Sequence, residues 1–203
     1  MNATASVVLS GTPYNFAASK VGLSYLSPLV GTLLAALYTG RFSDWFTIRL
    51  ARRNQGVMEA EQRLWPFLLC VILIPASLIL WGVGAAHNIH WFGLLVAMCG
   101  LGFINAVGIT LSVNYLIDSY YHISGDALST VMIIRNSMAF GMGYAITPWF
   151  ENMGFQNCFL VAAFVGMLVA ASFLAIVKYG KRLRARSTEA YWKLVDSDVV
   201  SSH

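Results

Sequence analysis

The sequence predicts an all-α membrane protein, a bundle of five complete transmembrane helices that follows a short N-terminal stub. Two observations lead to this fold class. Of the 203 residues, 58% are hydrophobic and only 11% are charged, against roughly 25% charged residues in an average soluble domain. Residues 64–117 contain no Asp, Glu, Lys or Arg at all. A hydrocarbon core about 30 Å thick needs roughly 20 apolar residues per helix, so this stretch holds two spans and a turn.

The five spans follow from long blocks of the chain that contain no charged residue except Arg135. They cover residues 21–40, 65–86, 91–117, 127–149 and 155–177. Each block is too long and too evenly apolar to be a strand of a membrane barrel. In lipid, a helix pairs every backbone N–H and C=O within its own segment. Three regions result, which are the stub with an outer loop at 1–20, the membrane bundle at 21–177 and a basic tail at 178–203.

Basic residues outside the spans predict the orientation of the bundle, because Lys and Arg near span ends are retained in the cytoplasm. Five follow the first span and six follow the fifth: Arg41, Arg49, Arg52, Arg53 and Arg63, then Lys178, Lys181, Arg182, Arg184, Arg186 and Lys193. The loops at 85–90 and 151–157 contain neither Lys nor Arg. We therefore expect a multi-pass protein of the plasma membrane with a cytoplasmic C-terminus. Anionic lipid is the expected partner of the tail, and nucleic acid is a poor second.

Arg135 is the most informative single residue. It lies about eight residues inside the fourth predicted span, where a bare charge costs several kcal/mol. Asp118 is the candidate partner, because it ends the third span and a short loop joins these two antiparallel spans. Two alternatives stay open. Arg135 snorkels to the near interface, or the pair of charges borders an aqueous cavity.

Polar and small side chains share faces of the third and fourth predicted spans. Helical spacing groups them as Asn105, Gly108 and Ser112; Thr110, Asn114 and Asp118; and Asn136, Gly143 and Thr147. Such residues also serve helix packing, since small residues allow close approach and polar ones hydrogen-bond between helices. Together with Arg135 they favour a bundle with a hydrated interior. The candidate cavity-lining residues are Asn105, Ser112, Asn114, Asn136 and Thr147.

The sequence contains no pattern that is typical of an enzyme or a metal site. His87 and His90 are three residues apart, without the third ligand that zinc requires. Cys70, Cys99 and Cys158 lie singly in three different spans. There is no Gly-rich phosphate loop, nucleophile elbow or pair of carboxylates. We therefore expect neither catalysis nor a cofactor.

The segment from Gly40 to Arg49, Gly-Arg-Phe-Ser-Asp-Trp-Phe-Thr-Ile-Arg, resembles the cytoplasmic loop signature of the major facilitator superfamily. Gly40, Asp44 and Arg49 stand where the family pattern has its glycine, its aspartate and a basic residue. Trp45 and Thr47 replace a basic residue and a second glycine. The resemblance implies that Gly40 permits close helix approach. It also implies that Asp44 joins a charge relay at the cytoplasmic gate.

Nearly all of residues 10–193 resembles the C-terminal half of a fungal drug:proton antiporter-like transporter. The likeness is carried by Tyr14-Asn-Phe, Val21-Gly-Leu-Ser-Tyr-Leu-Ser-Pro28, Ala51-Arg-Arg-Asn54, Leu80-Trp-Gly-Val-Gly-Ala-Ala86, Ser112-Val-Asn-Tyr-Leu-Ile-Asp118 and Ile134-Arg-Asn136. It implies that the five spans are spans eight to twelve of a twelve-helix transporter and that residues 1–13 are the stub of the seventh.

The same resemblance implies proton-coupled movement of a small organic solute, with a missing N-terminal half or another half-transporter as partner. Substrate and direction stay open. The alternative is a truncated, non-transporting membrane fragment or assembly partner.

Overall fold

The computed structural model describes residues 2–11, 14–53, 60–87 and 89–201, and every regular element in these ranges is helical. Four helical segments among the described residues are long and apolar enough to cross a membrane: Ala18–Arg52, Leu64–Ala86, Trp91–Ser119 and Gln156–Phe173. The predicted fold class, an all-α membrane bundle, is confirmed.

The chain forms seven α-helices in the described ranges. They are α1 (Asn2–Ser10), α2 (Ala18–Ser24), α3 (Leu26–Leu37), α4 (Ser43–Arg53), α5 (Leu68–Ala86), α6 (Trp91–Ser119) and α7 (Ser124–Ser201). A π-helical turn, Tyr38–Phe42, joins α3 to α4, and 3-10 turns at Ala60–Phe67 and Tyr121–Ile123 precede α5 and α7. Within α7 the backbone breaks at Gly154, where φ is 75°, a conformation that glycine adopts without steric cost.

The structure differs from the sequence prediction at the end of the first span. The segment from Gly40 to Arg53, predicted as a loop, continues the first span as π-helix and then α4. The basic tail, for which no secondary structure was predicted, is helical to Ser201. Charged residues exclude a segment from the bilayer interior but do not prevent a helix, because water or headgroups solvate the side chains while the backbone stays paired.

The predicted fourth span, residues 127–149, is helical and lies in the first part of α7. It is not among the four segments that meet the criteria of length and apolarity in the described part of the chain. Arg135 and Asn136 lie near its centre and reduce its hydropathy. A fifth complete span therefore stays a prediction.

Two hydrophobic clusters hold the helices together. One lies near α1 and contains Ala5, Leu9, Val21, Trp81, Leu94, Ala97, Met98 and Phe159. The other lies nearer α4 and contains Ala35, Cys70, Val107 and Leu111. Ala5 and Leu9 are 0% exposed. The N-terminal stub is therefore packed into the bundle at this end.

Helices α3 and α6 approach each other so closely that two glycines are required. A Cβ on Gly102 would lie 2.6 Å from the carbonyl oxygen of Pro28, and a Cβ on Gly31 would overlap the carbonyl oxygen of Cys99. Ser27 also donates a hydrogen bond from Oγ to the Leu95 carbonyl oxygen, at 2.5 Å. Small residues and interhelical hydrogen bonds are how helices associate in lipid, where no hydrophobic force brings them together. This crossing fixes the position of α6 against the first span.

Candidate functional site

Helix α6 is the helix around which the candidate site is built. It begins after His90, whose Nδ1 accepts a hydrogen bond from the N–H of Phe92 at 3.3 Å. Its polar residues lie on two faces, as the helical spacing predicts. Each face forms one wall of a groove, and the two grooves have different neighbours and opposite charge.

The first groove, which we call the α6–α7 groove, has a volume of about 410 Å³. It is lined by Phe67, Ile104, Asn105, Gly108, Ile109, Ser112, Val113, Leu128, Val131, Met132 and Arg135. The Phe67 ring is held against Phe173, with ring centroids 5.4 Å apart. The structure thus brings Arg135 into one cavity wall with Asn105 and Ser112. Among the described lining residues, Arg135 is the one that carries a charge.

The second groove, which we call the α3–α6 groove, has a volume of about 490 Å³. It is lined by Thr32, Ala36, Thr39, Gly40, Asp44, Ala106, Thr110 and Asn114. Thr32 and Thr39 donate their hydroxyl protons to carbonyl oxygens one turn earlier in the same helix, both at 2.9 Å. Their oxygens keep acceptor capacity. Asp44 carries the charge among the residues described in this lining.

The residues of the loop signature lie in different places. Gly40 and Asp44 line the α3–α6 groove, whereas the Arg49 guanidinium lies over the Trp45 ring, 5.2 Å from its centroid. A Cβ on Gly40 would meet no atom within 4 Å. No close helix approach therefore occurs at Gly40 within the described part of this chain. Thr47 is buried, and its hydroxyl donates to the carbonyl oxygen of Ser43 at 2.8 Å.

Other candidate residues are not in either groove. Asn136 is exposed and lines neither of them, and the Thr147 side chain is outside the described residues. Asp118 lies in the last turn of α6 and lines neither groove, so its ion pair with Arg135 stays a prediction. Of the basic residues used to predict the orientation, the side chains of Arg53, Arg63 and the tail also lie outside the description.

The residues predicted to line a cavity did not include Thr32, Ala36 and Thr39. Their spacing of four and three puts them on one helical face, so a search of the first span for small and polar stripes would have found them. Phe67 was not among them either. An aromatic residue at the start of a span carries no signal of its own, because only the packing against Phe173 directs it to the groove.

A smaller groove lies at the opposite end of the bundle, near α1. Phe16, Lys20, Leu23, Ser24, Trp91 and Leu95 line about 390 Å³. Beside it, the Tyr14 hydroxyl donates a hydrogen bond to the carbonyl oxygen of Ile89, which ties the chain before α2 to the turn before α6. Burial raises the pKa of Tyr14 above its usual value of 10.0. Among the described residues, no group of three His, Cys, Asp or Glu is placed to hold a metal ion.

Comparison with known proteins identifies fungal transporters as relatives. No family model matches the chain, and no solved structure matches it. An uncharacterized MFS-type transporter of Schizosaccharomyces pombe is 28% identical over 184 residues, which are 91% of this chain and 32% of the relative. Protein HOL1 of Saccharomyces cerevisiae is 27% identical over 184 residues, 91% of this chain and 31% of HOL1. Quinidine resistance protein 3 of the same yeast is 28% identical over 88% of this chain and 26% of its own length.

The chain spans about a third of the length of the curated relatives it matches. The resemblance to fungal transporters of the major facilitator type is confirmed, and the aligned share is consistent with a C-terminal half.

Proposed function

We propose that this chain is the C-terminal part of a secondary transporter of the major facilitator type, which moves a small organic solute with proton coupling. The observation that carries the proposal is the pair of grooves along α6. Polar groups within a membrane bundle are expensive and mark a hydrated path when they line a cavity. Asn105, Ser112 and Arg135 line one such cavity, and Asp44 and Asn114 line the other.

The outer surface of the bundle supports a lipid setting for these grooves. Leu23, Leu33, Leu37 and Ile72 are among the large apolar side chains that the described structure leaves exposed. In water such a surface would drive aggregation, whereas in a bilayer it faces acyl chains. In the same proposal, the end of the bundle that carries α4 and the C-terminus faces the cytoplasm of a cell whose plasma membrane holds the protein. An epitope tag after His203 should then be inaccessible to antibody in intact cells.

The partner in this proposal is an N-terminal half, or another half-transporter, packed against the exposed side of the grooves. Transporters of this type place their substrate between two halves that rock about a central site. The open space at Gly40 and the exposed Asp44 leave room for a helix of that partner at the α4 end. Asp44 and Arg49 would then contribute to a gate between the halves.

The test is gradient-driven flux in sealed vesicles. The chain is produced alone and together with the N-terminal half of the S. pombe relative, and uptake of labelled quinidine and of labelled 2-naphthoate is followed with and without an imposed proton gradient. We expect flux in the paired preparation that a protonophore abolishes. Membrane-inserted protein that moves neither probe in either preparation would contradict the proposal.

A second candidate is an assembly partner that does not itself transport. It is favoured by the first part of α7, where Ile133, Phe140 and Tyr144 are 67%, 69% and 73% exposed. The two preparations separate the candidates. Stable co-purification of the two halves without flux would favour the assembly partner.

A further inference from the structure

We infer that the α6–α7 groove is a binding site for a small organic anion. The ligand would have one carboxylate attached to an aromatic ring or a branched apolar group. The inference rests on the proposed transport function, since it names the substrate class of that site.

The α6–α7 groove carries the positive charge of Arg135. An arginine at this depth in a membrane segment needs an opposite charge or a hydrated surrounding. Arg135 lies eleven residues after Ser124, where its helix begins, roughly 17 Å along the axis at 1.5 Å per residue. The described lining supplies no carboxylate, since Asp118 and Asp126 are not part of it. A ligand carboxylate would provide the missing negative charge.

Polar side chains in the same groove could bind a carboxylate together with Arg135. Arginine binds carboxylates through two parallel N–H donors, which gives both strength and orientation. Across the groove, α6 contributes the Asn105 amide and the Ser112 hydroxyl, and both groups can donate to a carboxylate oxygen. These side chains are seven residues apart, which is two turns of α6 on the same face. They therefore lie in one line along the wall facing α7.

The rest of the groove lining is mostly apolar and suits the apolar part of such a ligand. Most of the groove wall is aliphatic, with Ile104, Ile109 and Val113 on α6 and Leu128, Val131 and Met132 on α7. The Phe67 ring, held by Phe173, adds an aromatic surface. A volume of about 410 Å³ lies in the range of roughly 300–1,000 Å³ of small-molecule sites. Such a lining suits the ring of an amphipathic acid, and it disfavours a highly hydrated anion such as free phosphate.

The experiment measures binding to the full 203-residue chain in phosphatidylcholine nanodiscs, which needs no transport and no partner. Three probes share one ring system and differ in charge: 2-naphthoate, 2-naphthamide and 2-naphthylmethylammonium. We expect 2-naphthoate to bind about tenfold more tightly than the amide, because a charge-assisted bidentate bond replaces neutral ones. The ammonium probe should bind most weakly.

Three variants identify the residue that recognises the charge. Arg135→Gln should reduce naphthoate binding to the level of the amide, and Arg135→Lys should keep part of the preference because its charge remains. The matched control is Lys20→Gln. It removes the same charge from the groove near α1 and should keep the full preference. Arg135 is exposed, so its substitution should not affect folding, which monodispersity on size exclusion checks.

Several outcomes would overturn the inference. They are equal binding of the three probes, no binding of any probe by folded protein, tighter binding of the ammonium probe, and an undiminished naphthoate preference in Arg135→Gln. A carboxylate could also come from a lipid headgroup, so the measurement is repeated with phosphatidylserine in the nanodisc. Loss of naphthoate binding there would assign Arg135 to a lipid headgroup. Naphthoate selectivity without flux would count against the proposed transport function but not against this binding site. Flux without selectivity would count against this site alone.

Discussion

The close crossing of α3 and α6 makes a specific prediction about stability. The substitution is Gly102→Ala, whose Cβ would lie 2.6 Å from the Pro28 carbonyl oxygen and 2.8 Å from the Pro28 Cα. A carbon–oxygen contact needs about 3.3 Å, so the two helices must separate by roughly 0.7 Å. Overpacking of this kind costs about 1–3 kcal/mol. The separation would also weaken the hydrogen bond from Ser27 to the Leu95 carbonyl oxygen.

The control for this prediction is Gly108→Ala in the same helix. Its Cβ would meet only Phe67 Cε2, at 3.8 Å, which is an ordinary contact. Both variants gain about 1 kcal/mol of helix propensity, so the difference between them isolates the clash at Pro28. The free energy of unfolding is measured in mixed micelles by tryptophan fluorescence. We expect Gly102→Ala to be less stable than Gly108→Ala by about 1–3 kcal/mol, and equal stabilities would refute the crossing geometry.

Three further predictions concern the end of the bundle near α1, the loop signature and the predicted pair of Asp118 and Arg135. Burial raises the pKa of Tyr14 above 10.0, so the unfolded chain loses this proton first as the pH rises. The stabilisation by protonated Tyr14 is complete below pH 10 and is lost as the pH rises through the pKa of Tyr14 in the folded chain. The melting temperature should therefore fall more steeply from pH 9 to pH 11 in the wild type than in Tyr14→Phe. Gly40→Leu should not lower the stability of the chain, because no atom lies within 4 Å of its Cβ position and leucine favours a helix more than glycine does. The same variant should abolish flux with an N-terminal half, and normal flux would exclude a close approach at Gly40. If Asp118 pairs with Arg135, Asp118→Asn should tighten 2-naphthoate binding because the competing carboxylate is gone. Unchanged affinity would count against the ion pair.

The positions of the α6 faces were predictable from the sequence, but their neighbours were not. Helical periodicity alone places Asn105, Gly108 and Ser112 on one side and Thr110 and Asn114 on another. Periodicity does not say which helix covers each side. That depends on the close approach at Gly31 and Gly102, which sets α3 against one side and leaves the other to α7.

The helical course of α4 and of the tail was not predictable from charge patterning. Runs of Arg and Lys indicate that a segment leaves the hydrocarbon, and this is equally true of a loop and of a helix lying outside it. The choice between them depends on propensity and contacts. In α4, local contacts such as the hydrogen bond from Thr47 to Ser43 and the stacking of Arg49 on Trp45 accompany the helix.

The lipid surroundings of this protein and its helical class can both be read from its amino-acid sequence. Both follow from the free energy of transferring each segment from water to lipid. A bilayer of fixed thickness requires long apolar segments whose backbone groups are paired. The sharing of a cavity by particular polar residues depends instead on contacts between segments far apart in sequence, and it is seen once the helices are packed. Arg135 shares the lining of the α6–α7 groove with Asn105 and Ser112, while Asp44 shares the lining of the other groove with Asn114. Transfer into the bilayer depends on each segment separately, whereas a cavity depends on how several segments pack against one another.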